Sequence, residues 1–102
     1  MDKNEVRRLL LEQMLGNRTG VNVHMSISTL TPSDRIKSWY GEIARPPEAP
    51  AERLWFAYVD PSPDANFEHP VEYVFVDDQD GTTWVVHGTT PPDNLSSLEK
   101  IA

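Results

Sequence analysis

The stretch Val71 to Gly88, VEYVFVDDQDGTTWVVHG, decides how the chain folds. A run rich in Val, Tyr and Phe leads into Asp77-Asp78-Gln79-Asp80-Gly81, and a second β-prone run, Thr82 to His87, follows at once. This is the pattern of a β-hairpin. Gly81 is the expected pivot, because a short connection ending in Gly commonly holds that residue at positive φ, which costs little without a Cβ. Side chains alternate along a strand, so Val71, Tyr73 and Phe75 share one face and Glu72, Val74 and Val76 the other. Both faces carry apolar groups, which places the hairpin inside a sheet.

Working outward, Arg53-Leu54-Trp55-Phe56-Ala57-Tyr58-Val59 is apolar on both faces and reads as a central strand. Asp60 to Pro70, DPSPDANFEHP, separates it from the hairpin. That is longer than an ordinary hairpin connection, and long ordered loops often carry function. Phe67 is expected to tuck back as its anchor. Val21 to Ser28 alternates apolar and polar residues, the period of a half-buried strand, with Val21, Val23, Met25 and Ile27 toward the core. Asn22, His24, Ser26 and Ser28 then form a polar row, where a histidine beside a hydroxyl is one arrangement suited to base catalysis and a solvated strand face is the simpler one.

The remaining segments read as helices and connectors. Asp2 and Glu5 have capping-box spacing, and Val6, Leu9, Leu10, Gln13 and Met14 follow as a stripe, predicting a helix over 3–15 stopped at Gly16-Asn17. Arg7 and Arg8 are expected to face water. Thr31-Pro32-Ser33-Asp34 has helix-start chemistry, and Ile36, Trp39, Tyr40 and Ile43 predict a second helix over 32–44. Prolines 46, 47 and 50 then enforce a stiff connector. Thr90-Pro91-Pro92-Asp93 repeats the start signal before Leu95, Leu98 and Ile101, a short C-terminal helix. The expected fold is a single α+β domain, ordered α-β-α-β-β-β-α. Its antiparallel sheet has about four strands, with two helices packed on one face and the first strand on either edge.

A chain of 102 residues suits one hydrophobic core. The charged start MDKNEVRR does not suit a signal peptide, and no window has the apolar length of a membrane span, so the expected location is the cytoplasm. Cysteine is absent, which excludes disulfides, thiolate metal sites and cysteine nucleophiles. The net charge of −7 is unevenly placed. Residues 1–53 hold eight basic groups against seven acids, whereas residues 54–102 hold nine acids and only Lys100. A field of that sign repels nucleic acid and anionic lipid and attracts a basic surface. Acidity that only maintains solubility is the plainer explanation.

Recognised catalytic patterns are missing. Calcium bound around Gly81 in an EF-hand would call for oxygen ligands at 76, 78 and 80 and a Glu at 87, but Val76 and His87 occupy two of those positions. His24, His69 and His87 lack helical metal-ligand spacing. His69 and His87 stand to approach at one end of the sheet near Glu68 or Glu72, as a metal or acid–base cluster, although satisfied or exposed histidines are the simpler reading. There is no Gly-rich phosphate loop and no nucleophile elbow. No cofactor or metal is expected.

The run Tyr73-Val74-Phe75-Val76-Asp77, the Asp80-Gly81 turn, a second strand, and Gly88-Thr89-Thr90-Pro91 before a leucine-bearing helix resemble the C-terminal part of small bacterial immunity proteins of the Imm35 (YrhB-like) type. The resemblance covers about a quarter of the chain and implies a non-catalytic protein that neutralises a toxin or enzyme by binding it. The leading expectation is an acidic inhibitor of a basic protein partner, with contacts from Asp77, Asp78 and Asp80, or from Asp60, Asp64 and Glu68. These two sets lie at opposite ends of a simple meander. Opposite charge would speed the encounter, and DNA mimics and anti-defence proteins fall in the same class. A small enzyme or ligand-binding domain, with a cleft between the second helix and the sheet lined by Trp39, Tyr40, Trp55 and Tyr58, is the alternative. A homodimer built on a strand edge is the third reading; otherwise the chain is a monomer.

Overall fold

The computed structural model describes residues 1–16 and 18–102, so Asn17, half of the expected helix stop, lies outside the described residues. A five-stranded antiparallel sheet forms the body. Its strands are β1 (Asn22–Met25), β4 (Leu54–Asp60), β5 (Val71–Asp77), β6 (Thr83–Gly88) and β7 (Glu99–Lys100), in the order β6-β5-β4-β1-β7. A separate two-stranded hairpin joins β2 (Lys37–Ser38) to β3 (Gly41–Glu42). The one α-helix among the described residues, α1 (Lys3–Leu10), continues as a π-turn over Leu11–Leu15.

The Val71–Gly88 hairpin forms as expected. Gly81 has φ +76°, and β5 pairs with β6 from Val71↔Gly88 to Val76↔Thr83. Every residue of β4 is buried, as its two apolar faces require. On one face Val74, Val76, Trp55, Ala57 and Val59 pack with Val23 and Met25 against Val6 and Leu10 of α1 and Met14 of the π-turn. Helix α1 begins where its capping box predicts: the Glu5 amide donates to Asp2 Oδ1 at 2.9 Å and the Asp2 amide to Glu5 Oε1 at 3.1 Å. Burial of its apolar stripe, more than helix propensity, holds so short a helix in place.

On the opposite face the expected arrangement fails. The second helix over 32–44 does not exist, and the fold is not two helices on a four-stranded sheet. Leu54, Phe56, Tyr58, Val71, Tyr73 and Phe75 are covered instead by the β2–β3 hairpin through Ile36 and Ile43. The start signal at Thr31 makes only a turn, in which Asp34 Oδ2 accepts the Thr31 amide at 2.6 Å. The spacing of Ile36 and Ile43 fits both structures. In a helix it is i, i+7; in a hairpin with Trp39-Tyr40 at its tip it makes the two residues partners, and the Ile43 amide donates to the Ile36 carbonyl at 2.8 Å. Gly41, at φ +120°, takes a backbone conformation that closes the tip and that a helix does not contain.

The C-terminal helix is a second correction. Leu95–Ser97 makes one 3-10 turn and the chain then extends as β7, pairing His24↔Lys100 and Met25↔Glu99. The outer edge of β1 offers unpaired amides and carbonyls that a strand satisfies and a helix does not. Strand β1 therefore lies inside the sheet, not on an edge. Ile27, expected in the core, is 64% exposed, because β1 ends at Met25 and Ser26 turns inward to accept the Phe56 amide on its hydroxyl at 3.1 Å.

Candidate functional site

At the end of the sheet away from the Gly81 turn, three segments that are distant in sequence enclose a cavity of about 500 Å³. Its floor is the hairpin-side face of two paired strands. The register Asn22↔Asp60 and His24↔Tyr58 sets these four side chains on one surface. The Asp60–Pro70 loop forms one wall, Thr89 to Leu95 another, and Trp39 reaches the lip from the β2–β3 tip. Trp39 is held there by backbone contacts: its amide donates to Thr90 Oγ1 at 3.4 Å, and the Asp93 amide donates to the Lys37 carbonyl at 2.8 Å. Buried Thr90 is fixed in turn by Tyr73, whose hydroxyl donates to the Thr90 carbonyl at 2.6 Å. Gly88 gives the Tyr73 ring its space, since a Cβ there would lie 2.3 Å from Tyr73 Cε2.

Asp60 organises the loop. Its Oδ1 accepts the Ser62 amide at 2.9 Å and lies 2.6 Å from His69 Nε2, closing the loop on itself. His69 Nδ1 lies 2.8 Å from the Phe67 carbonyl. A carbonyl only accepts, so Nδ1 carries a proton; a carboxylate also accepts, so Nε2 carries one as well. Only the imidazolium form of His69 satisfies both acceptors, and those bonds raise its pKa, the Phe67 carbonyl contributing most and Asp60 next. With neither nitrogen open, it cannot take a proton from a substrate in this arrangement. Tyr58 donates to Asp60 Oδ2 at 3.5 Å, and burial followed by the Asp60 charge pushes its phenol far above its ordinary range.

His24 is the contrasting imidazole. Burial, then the Lys100 charge, lowers its pKa against an opposing pull from Asp60, which keeps it neutral at pH 7, and its Nδ1 is buried without a hydrogen-bond partner. At the lip Tyr40 donates its hydroxyl to Glu68, a bond that raises the phenol pKa. Trp39, Tyr40 and Phe67 are 70%, 73% and 77% exposed. Phe67 is therefore not the inward anchor the sequence suggested.

The two acidic sets expected to meet a partner differ in their surroundings. Asp77 accepts from Arg53 Nε at 3.2 Å and from the Gln79 amide at 2.9 Å. Asp78 accepts the Trp55 indole N–H at 2.8 Å and lies 3.5 Å from the N-terminal amine. Asp80 Oδ1 accepts the Thr82 amide at 2.9 Å, a bond that lowers its pKa. Asp77 and Asp80 shape the turn, and Asp77 and Asp78 tie it to Arg53, Trp55 and the N-terminal amine. Of the other set, Asp60 is spent on His69, while Asp64 and Glu68 are exposed.

The expected aromatic cleft is only partly assembled. Trp39 and Tyr58 line the cavity, but Trp55 faces α1 on the other side of the sheet. His69 and His87 do not form a cluster: His87 is exposed on β6, opposite Glu72. Among the described residues no group of three or more His, Asp or Glu side chains is placed to hold a metal ion, and no helix is long and apolar enough to cross a membrane. The Asp60–His69 clamp was not expected from the sequence. Its signal is an acid and a histidine bracketing one proline-rich loop.

The fold and cavity define a mostly-sheet domain, with one helix packed on a five-stranded antiparallel sheet and a pocket at one open end. No protein-family model, curated protein or solved structure matches the chain.

Proposed function

We propose that the chain is a non-catalytic binding protein that engages a basic protein partner through the end of the sheet bearing the cavity. The observation that carries this reading is the gathering of Trp39, Tyr40 and Phe67, all largely exposed, around the acidic Glu68, with exposed Asp64 on the same Asp60–Pro70 loop. Large aromatics grouped on a surface are the usual anchors of protein interfaces, and acids around them steer a basic partner to the contact. The hairpin acids Asp77, Asp78 and Asp80 are engaged by Arg53, the Trp55 indole, the N-terminal amine and amides of their own turn, and serve the fold. The resemblance to immunity proteins points to the same class of activity. DNA-mimic and anti-defence inhibitors remain members of that class.

The test compares partner capture from a bacterial lysate by the natural chain, by Trp39→Ala/Phe67→Ala, and by Asp77→Asn/Asp78→Asn/Asp80→Asn, with bound proteins identified by mass spectrometry. A basic protein retained by the natural and triple-Asn chains but lost from the aromatic variant supports the reading. Retention by the aromatic variant, or capture that ignores salt up to about 0.5 M, defeats it.

A second reading has one specific observation in its favour. The cavity volume falls in the range of small-molecule sites, and His24, whose buried Nδ1 has no hydrogen-bond partner, is one of its lining residues. Native mass spectrometry of protein freshly isolated from cells tests this reading: a stoichiometric small-molecule adduct absent from Trp39→Ala favours it over a protein partner.

A further inference from the structure

Resting on that docking reading, we infer that the cavity receives the guanidinium group of an arginine side chain from the basic partner. The charges around the cavity narrow the choice. Besides the neutral Tyr58 phenol, its ionisable lining comprises two carboxylates, Asp60 and Glu68, and two imidazoles, His24 and His69; among the described residues no Lys or Arg side chain lines it. The His69 imidazolium is consumed by Asp60 and the Phe67 carbonyl. His24 is held neutral by burial and Lys100. No cation is left to hold an anionic ligand, whereas the Glu68 carboxylate has only the neutral Tyr40 hydroxyl as partner among the described residues. The site therefore carries one uncompensated negative charge at its lip.

The aromatic side chains define the shape of the guest. Trp39 and Phe67 line the same opening and are mostly exposed, so their ring faces are available to a flat cation. A guanidinium stacks on such faces while donating two parallel hydrogen bonds to a carboxylate, which a compact, strongly hydrated ammonium does less well. Pro63, Pro91 and Leu95 offer apolar wall to the methylene stem.

Nuclear magnetic resonance titration of the full chain with acetyl-Gly-Arg-Gly-amide, and with the same peptide carrying neutral citrulline in place of arginine, tests this. The arginine peptide is expected to saturate shifts at the Trp39 indole and in the Asp60–Pro70 loop. Its affinity should exceed that of the citrulline peptide by about tenfold or more. Glu68→Gln should bring the two peptides to parity without disturbing the amide spectrum elsewhere, since Glu68 is exposed. Equal binding of both peptides to the natural chain, or shifts centred on Asp77 to Asp80, overturns the inference. If lysate capture still depends on Trp39 and Phe67 while the peptides are not discriminated, the docking reading stands and only the arginine assignment falls. Loss of both results removes both.

Discussion

Two histidines that look alike in the sequence titrate in opposite directions, and each direction follows from its neighbours. His69 gains two acceptors on folding, so its pKa rises above the ordinary 6.5. Its contribution to stability is fully present below about 6.5 and is lost as pH climbs through the raised value, where one of the two bonds loses its proton. His24 is half-buried near Lys100, and its pKa falls below 6.5. Its neutral form suits the fold, so its contribution is present above about 6.5 and declines as pH drops toward the lowered value. Proton-detected titration should give a midpoint above 6.5 for His69 and below it for His24. Urea midpoints should show His69→Gln losing more stability at about pH 5.5 than at pH 8, and His24→Gln losing more at pH 8. A His69 midpoint below 6.5 would remove the clamp. The sequence displayed the individual residues but not this contrast, because the clamp needs Asp60 and His69 to meet across a loop.

Among the elements, the β2–β3 hairpin shows how one spacing serves two structures. Ile36 and Ile43 are 5% and 7% exposed and are joined by a backbone bond across the hairpin. Along a helix, residues seven apart would lie about 10 Å from each other. A nuclear Overhauser contact between the backbones of Ile36 and Ile43 therefore distinguishes the hairpin from the helix that the Thr31 start signal suggested. Ile36→Ala and Ile43→Ala should each cost about 2–4 kcal/mol in urea unfolding. Because the residues pack on the same patch of sheet, their double variant should differ from the sum by at least about 0.5 kcal/mol. Strict additivity would mean they do not share that patch. The signal for α1 was reliable because its cap and stripe are local. The signal at Thr31 was not, because a turn, a hairpin and a helix all begin with the same capping chemistry.

For the whole molecule, the acidic second half divides into carboxylates that hold the fold and carboxylates that face outward. Asp78 ties the Gly81 turn to β4 through the Trp55 indole and to the chain start through the N-terminal amine. Asp78→Ala should cost about 1–3 kcal/mol by leaving the N–H of a buried Trp unpaired, with a change in tryptophan fluorescence, whereas exposed Asp64→Asn should alter stability by about 0.5 kcal/mol at most. Equal effects on unfolding from the two changes would contradict this division. The sequence by itself determined α1, the run of β4, and the β5–β6 hairpin with its turn, since alternation, capping and turn glycines act between residues that are neighbours along the chain. Only the tertiary structure decided that the C-terminus becomes a strand beside β1, that a hairpin covers the second face, and that Trp39, Phe67, Glu68 and the Asp60–His69 clamp surround one cavity. Those outcomes depend on which strand edges and apolar faces remain open once the local elements have formed, and on contacts between segments that the linear order keeps apart.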